Sequence, residues 1–163
     1  MAKIFLVTLL SHFILLYLSR FTLWPEMVVY PYLLNNGFQL YQDIIAPYPP
    51  LFVYLLSFFA KVFGYLPNAY QILTWIIILA IDCVVFKLTQ KITTNKIYPI
   101  FSIAFFAFLS IPFGINGLWF DLAQTPLVVL AVYFGYKYQK DKNYSDLSVC
   151  LFALTSALLI KQQ

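Results

Sequence analysis

Charged residues are scarce in this sequence, and that scarcity excludes most classes of soluble protein. They make up 10% of the 163 residues, whereas an ordinary globular domain carries about 25%. Hydrophobic residues make up 63% and come in long blocks. A helix that crosses a bilayer needs about 20 mostly apolar residues, and its backbone must find its hydrogen bonds internally. The composition therefore predicts an all-α, polytopic transmembrane helical bundle.

Cysteine and histidine are also scarce, which argues against a disulfide framework or a metal centre. Cys83 and Cys150 lie inside apolar blocks, and His12 lies in another block where we expect it to have no partner. A protein metal site needs more ligands than these. We therefore expect no metal site and no cofactor, although a divalent cation is compatible with the carboxylates discussed below. The net charge of +4 is clustered between apolar blocks, so we expect no nucleic-acid partner.

The apolar blocks predict about five spans, with the bilayer as the surrounding solvent. The whole chain, residues 1–163, is interpreted as one transmembrane domain. The predicted spans are Ile4 to Phe21, Ala69 to Leu88, Tyr98 to Phe113, Trp119 to Tyr138 and Leu147 to Ile160.

The segment from Pro50 to Gly64 is apolar but short, and it contains Lys61, so we predict an interfacial helix and not a crossing. With this choice most lysines fall on one side of the membrane, which the positive-inside rule makes the cytosol. We therefore predict a multi-pass inner-membrane (cell-membrane) protein with a cytosolic N-terminus. The lysines on the cytosolic side are Lys3, Lys87, Lys91, Lys96, Lys137, Lys140 and Lys142.

Residues 22–68 then form the first extracytoplasmic loop, with two surface helices. Pro25 suits a first helical turn, Glu26 favours the positive end of the helix dipole, and Gly37 is a natural stop. After a turn-like stretch, Pro49-Pro50 opens the second helix, which ends at Gly64.

Acidic residues are few, and three of them share the predicted outer face. Glu26, Asp43 and Asp121 are candidates for a general base and a substrate-positioning carboxylate. Plainer interpretations stay open: Glu26 and Asp121 as helix-start residues, and Asp43 as a turn-forming side chain. Asp82, inside the second span, is expected to reach Lys87 or a neighbouring span.

Basic and aromatic residues on the same face are candidates for substrate binding. Arg20 and Lys161 could each hold a phosphate, or could extend to the membrane interface. Tyr41 and Tyr48 could stack against a sugar, or belong to an interfacial aromatic belt.

The order of motifs in the loop resembles the first extracytoplasmic loop of GT-C glycosyltransferases. It is most similar to the bacterial branch related to protein O-mannosyltransferases and aminoarabinose transferases. Those loops carry an acidic pair, a helix ending in Gly, Tyr-x-Asp, Pro-Pro, a surface helix and Phe-Gly. The corresponding residues here are Pro25-Glu26, Asn36-Gly37, Tyr41-Gln42-Asp43, Pro49-Pro50 and Phe63-Gly64.

The resemblance implies a polyprenyl-phosphate-linked sugar donor and a lipid, glycan or protein acceptor on the extracytoplasmic side. It implies that Glu26 is the catalytic base and that Asp43 matches the aspartate of Tyr-x-Asp, whereas Pro25 replaces the first acid of the pair. Because members of that group have more spans, we expect this chain to be the N-terminal part of a longer protein.

The leading hypothesis is thus an inverting membrane glycosyltransferase. The alternatives are a transporter or flippase subunit and a non-catalytic membrane assembly protein. Transporters place charges and broken helices at the bilayer midplane, whereas here the charges concentrate near the outer interface.

Overall fold

The fold is known from a computed structural model that describes residues 2–95, 97–110 and 112–162. Those residues form α-helices and one pair of very short strands. In chain order the elements are α1 (Ala2–Leu18), β1 (Thr22–Leu23), α2 (Glu26–Asn35), α3 (Leu51–Phe63), α4 (Pro67–Ile92), α5 (Tyr98–Ser110), β2 (Gly117–Leu118), α6 (Phe120–Asp141) and α7 (Tyr144–Leu158). The prediction of a mostly helical chain is confirmed.

Both helices predicted for the first loop form where their punctuation places them. Pro25 caps α2, which begins at Glu26, and Pro50 caps α3. Gly64 ends α3 with φ of 74°, a left-handed value that a residue with a Cβ adopts only under strain. The position of these helices against a membrane surface stays a prediction.

The two strands were not predicted, and they join the start of the loop to a distant segment. β1 and β2 pair in parallel, with Thr22 opposite Gly117 and Leu23 opposite Leu118. A Cβ on Gly117 would lie 3.2 Å from the carbonyl oxygen of Thr22, so this close approach favours glycine. The pairing holds the chain between α1 and α2 beside the start of α6.

The helices pack in pairs around a core at the loop end of the molecule. α6 packs along α7, α2 along α3, and α4 contacts both α5 and α6. The core contains Met27 from α2, Val53 and Leu56 from α3, Tyr70 from α4 and Phe120 from α6, all buried. Helices from across the chain therefore meet directly beneath the loop.

The expectation of about five full spans is not supported by the helix lengths. Within the described residues, α4, with 26 residues, is the one helix both long and apolar enough to cross a bilayer. α5 has 13 residues, or about 20 Å at 1.5 Å per residue, against about 30 Å of hydrocarbon. α6 is long enough but has Asp121 in its first turn and Lys140 in its last. Composition alone overestimated the number of crossings because apolar blocks continue through turns.

The outer surface of the helices is nevertheless apolar. Phe101 and Phe108 on α5 are 67% and 68% exposed, and Phe152 on α7 is 73% exposed. Contiguous exposed apolar surface is typical of contact with lipid or with other helices. Lys96 and Ile111, which belong to the predicted lysine cluster and third span, lie outside the described residues.

Candidate functional site

Glu26 stands at the first position of α2, directly after the chain leaves the β1–β2 pair. It is half-buried, and its Oε2 is buried with no hydrogen-bond partner among the described residues. A buried carboxylate oxygen without a partner costs free energy. Such a group is a candidate for proton transfer because a substrate hydroxyl can supply the missing hydrogen bond.

Tyr30 lies one helical turn after Glu26 and connects it to the connector between α2 and α3. Burial raises the pKa of Tyr30, and the nearby Glu26 and Tyr48 raise it further. Its hydroxyl donates a long hydrogen bond of 3.4 Å to the carbonyl oxygen of Ile45. Tyr30 therefore stays protonated in the physiological range, between the acid and the aromatic group next described.

Tyr48 is the centre of an aromatic stack. Its ring lies 4.2 Å from that of Phe120, nearly parallel, and 5.8 Å from that of Trp119, edge-on. Its carbonyl oxygen accepts a hydrogen bond of 2.7 Å from the hydroxyl of Tyr41. Tyr41 is more than half exposed, with φ of 70°. The connector is thus fixed against the start of α6.

Asp121 and Lys161 form an ion pair beside Tyr48. The side chain of Asp121 is 50% exposed and that of Lys161 is 20% exposed. The Lys161 ammonium also lies 6.0 Å from the centre of the Tyr48 ring, within cation–π range. Gln124 donates to the carbonyl oxygen of Lys161 at 2.9 Å, which holds the end of the chain against α6.

We call Glu26, Tyr30, Tyr48, Asp121 and Lys161 the loop-end cluster. It combines an unpaired acid, an ion pair that can exchange partners and aromatic rings. Two aromatic groups extend it, since the rings of Trp24 and Trp119 lie 4.9 Å apart.

A cleft of about 320 Å³ opens next to this cluster. Trp24, Trp119 and Asp121 line its mouth, and Ile81, Phe106 and Leu122 from α4, α5 and α6 line its deeper part. A polar, aromatic mouth above an apolar interior suits an amphiphile with a polar head and a hydrocarbon chain. We call it the outer cleft.

Two predicted site residues stand apart from the loop-end cluster. Asp43 is exposed, and its Oδ2 accepts a hydrogen bond of 2.8 Å from the backbone N–H of Gln39, as the turn-forming interpretation predicts. Arg20 is exposed just after α1 and takes part in no ion pair within the described ranges. The contacts shown by the structure favour Glu26 and Asp121 over Asp43.

Sequence reasoning missed Asn116, which organises the loop end. Its side-chain amide donates to the carbonyl oxygens of Leu16 and Ser19 at 2.9 and 3.3 Å, and its Oδ1 accepts from Trp75 Nε1 at 3.1 Å. The residue is buried. One amide therefore ties the end of α1 to α4 and to β2, which follows it directly. The signal was a lone polar residue between two apolar blocks.

The expectation that His12 has no partner was wrong. Its Nδ1 lies 2.7 Å from Oδ2 of Asp82, and both side chains are buried between α1 and α4. Asp82 therefore reaches a neighbouring helix, one of its two predicted alternatives. Sequence alone did not pair them because they lie 70 positions apart.

The helical fold, the apolar outer surface and the loop-end cluster together define an integral membrane protein with an outward polar site. The family comparison identifies the class: residues 47–163 match the dolichyl-phosphate-mannose-protein mannosyltransferase family. The chain belongs to this family, whose members are membrane glycosyltransferases of the GT-C type. No curated protein and no solved structure matches the chain.

The matched region divides the candidate site. Tyr48, Asp121 and Lys161 lie inside residues 47–163, whereas Arg20, Glu26, Tyr41 and Asp43 precede it. The family match thus covers the ion pair and the aromatic stack, and the structure joins Glu26 to them through Tyr30.

Proposed function

We propose that this chain carries the catalytic loop of a glycosyltransferase that uses a polyprenyl-phosphate-linked sugar. The sugar would pass to a hydroxyl acceptor, which is a lipid, a glycan or a protein, on the extracytoplasmic side. The observation that supports this most is the unpartnered carboxylate oxygen of Glu26 in the same cluster as Lys161. A base and a cation on opposite sides of an aromatic group are what sugar transfer from a phosphate requires.

In the proposed reaction Glu26 accepts the proton of the acceptor hydroxyl. The acceptor oxygen attacks the anomeric carbon from the face opposite the phosphate, and a new C–O bond forms. The bond from the anomeric carbon to the phosphate oxygen breaks, and its electron pair leaves with the polyprenyl phosphate. Attack from the opposite face inverts the anomeric configuration.

Lys161 would hold the leaving phosphate. It is paired with Asp121 and partly exposed, so a phosphate arriving at the mouth of the outer cleft could replace the carboxylate at little cost. Asp121, once released, is placed to accept hydrogen bonds from sugar hydroxyls, and Trp24 and Trp119 offer faces for stacking. The lipid chain would extend past Ile81 and Phe106.

The catalytic test is Glu26→Gln, assayed in the full-length protein with polyprenyl-phosphate-mannose, the donor type that the family description names. Gln keeps the size of the side chain but accepts no proton, so transfer should fall by about 10²- to 10⁴-fold. Asp141→Asn is the matched control, since Asp141 lies at the opposite end, paired with Lys91 at 3.7 Å. Equal turnover of Glu26→Gln and Asp141→Asn would remove Glu26 as the base.

The proposed orientation is multi-pass in the cell membrane, with the N-terminus in the cytosol. It is tested with single cysteines at Asp43 and Asn95 in a variant that lacks Cys83 and Cys150. An impermeant thiol reagent added to intact cells should label position 43 and leave position 95 unlabelled. The opposite pattern would place the loop-end cluster in the cytosol and contradict the proposed side of the reaction.

A further inference from the structure

A second cavity lies between α1 and α5, apart from the outer cleft. Its volume is about 470 Å³, within the range of roughly 300–1,000 Å³ typical of small-molecule sites. We call it the α1–α5 cavity; its wall includes Thr8, Ser11, His12, Leu15, Ala104 and Ala107. The wall is apolar except for two hydroxyls and the imidazole.

The two hydroxyls are already used within α1. Thr8 donates to the carbonyl oxygen of Ile4 at 3.0 Å, and Ser11 donates to that of Val7 at 2.9 Å. His12 differs, because its Nε2 is buried and has no partner among the described residues. Nδ1, the other ring nitrogen, is bound to Asp82 on α4. Since α4 contributes nothing to the cavity wall, Nε2, on the far side of the ring, faces away from α4.

Charge balance decides which hydrogen-bonding role Nε2 has. An isolated net charge in an apolar interior is costly, so the His12–Asp82 pair is favoured in a state with no net charge. Either His12 is protonated and Asp82 ionised, or a neutral Asp82 donates to Nδ1 of a neutral imidazole. In both states Nε2 carries the hydrogen. The cavity therefore presents one N–H donor that lacks an acceptor.

We propose that the α1–α5 cavity binds a single-chain lipid through a carbonyl oxygen, which accepts a hydrogen bond from His12 Nε2–H. A carbonyl of an acyl ester fits better than a hydroxyl, because a hydroxyl would bring its own donor into a wall without a free acceptor. It also fits better than an anion, which would add an uncompensated charge to an apolar site. This site serves a ligand separate from the proposed sugar donor.

The test uses two photoreactive lipids of equal length, a diazirine-bearing fatty acyl methyl ester and a diazirine-bearing alkane. The full-length protein is labelled in nanodiscs, and modified peptides are identified by mass spectrometry. The ester should label α1 and α5 at about three- to ten-fold lower concentration than the alkane, the difference that one hydrogen bond typically makes.

Two variants separate the cavity from the hydrogen bond. Ala104→Phe fills the cavity from an exposed wall position and leaves His12–Asp82 intact, so labelling should disappear. Ala80→Phe makes the same change at an exposed position of α4 outside the wall, and labelling should persist. The double change His12→Phe with Asp82→Leu removes the pair without leaving a buried charge, so ester and alkane should label equally.

Three results would overturn the proposal. Ester and alkane could label the unaltered protein at the same concentration, or ester labelling could survive Ala104→Phe. Alternatively, cross-links from the cavity wall could lead to another polypeptide helix instead of the lipid, which would assign the cavity to helix packing. None of these measurements depends on glycosyl transfer, so they are independent of the outcome for Glu26.

Discussion

The two ends of the helices treat their charged residues differently. At the end opposite the loop, Lys91 lies 3.7 Å from Asp141, and Lys137 lies 2.8 Å from Asp146. At the loop end Glu26 has no ion-pair partner among the described residues, and one of its oxygens is buried. The opposite end balances its acidic side chains with nearby lysines, whereas the loop end retains an unbalanced acid.

This difference separates charges that stabilise the fold from charges available for chemistry. Exposed ion pairs contribute about 0–1 kcal/mol each, so those at the opposite end can be lost without consequence for function. An unpartnered carboxylate is retained only at a cost, and a role in binding or catalysis explains why it persists. The following changes test the contrast, from the largest expected effect to the smallest.

Lys161→Gln should give the largest loss. It keeps a hydrogen-bond donor but removes the positive charge proposed for the leaving phosphate, so transfer should fall by about 10²- to 10³-fold, mainly in kcat. The matched control is Lys142→Gln at the opposite end, because Lys142 also lies over a tyrosine ring, 5.8 Å from the centre of Tyr138. Similar losses in both variants would show that any lysine–aromatic contact matters, and the contrast between the ends would fail.

Asn116→Leu should have an intermediate effect, on stability. It leaves the N–H of Trp75 and the carbonyl oxygens at the end of α1 without their buried partner, a cost of about 1–3 kcal/mol. Unfolding in mixed micelles measures the change. Asn95→Leu is the control, since Asn95 bonds only an exposed backbone N–H, that of Ile97, at 3.0 Å. If Asn95→Leu costs as much, the loop end is not organised by Asn116.

Lys91→Met should have the smallest effect. The pair with Asp141 is long, and its side chains are 33% and 42% exposed, so the loss should stay below about 1 kcal/mol and transfer should be unchanged. The same unfolding and transfer assays measure it. A large loss of stability would mean that the opposite end also depends on its charges.

Much of the helical order was predictable because local signals determine it. Pro25 and Pro50 start helices wherever they are placed, and Gly64 ends one, since these residues restrict or free the backbone by themselves. The number of crossings was less predictable. Hydropathy averages over turns, so it did not reveal that α5 is only 13 residues long.

The candidate site was predictable in part. Glu26, Tyr48, Asp121 and Lys161 were selected by residue type and predicted side, and the structure places them in one cluster. Asp43 has the same side-chain chemistry as Asp121 but bonds its own turn. Which of two similar carboxylates faces a cleft depends on contacts between distant segments, which spacing along the chain does not encode.

The sequence by itself determined the apolar composition, the helical class and the residues where helices start and stop, because each depends on neighbours in the chain. Only the tertiary structure decided that His12 meets Asp82 and that Asn116 joins α1 to α4. It also decided that Lys161 lies against Asp121. These partners are 40 to 100 positions apart. They meet because helix packing and one parallel strand pair bring distant segments together, and burial then favours polar groups that find each other.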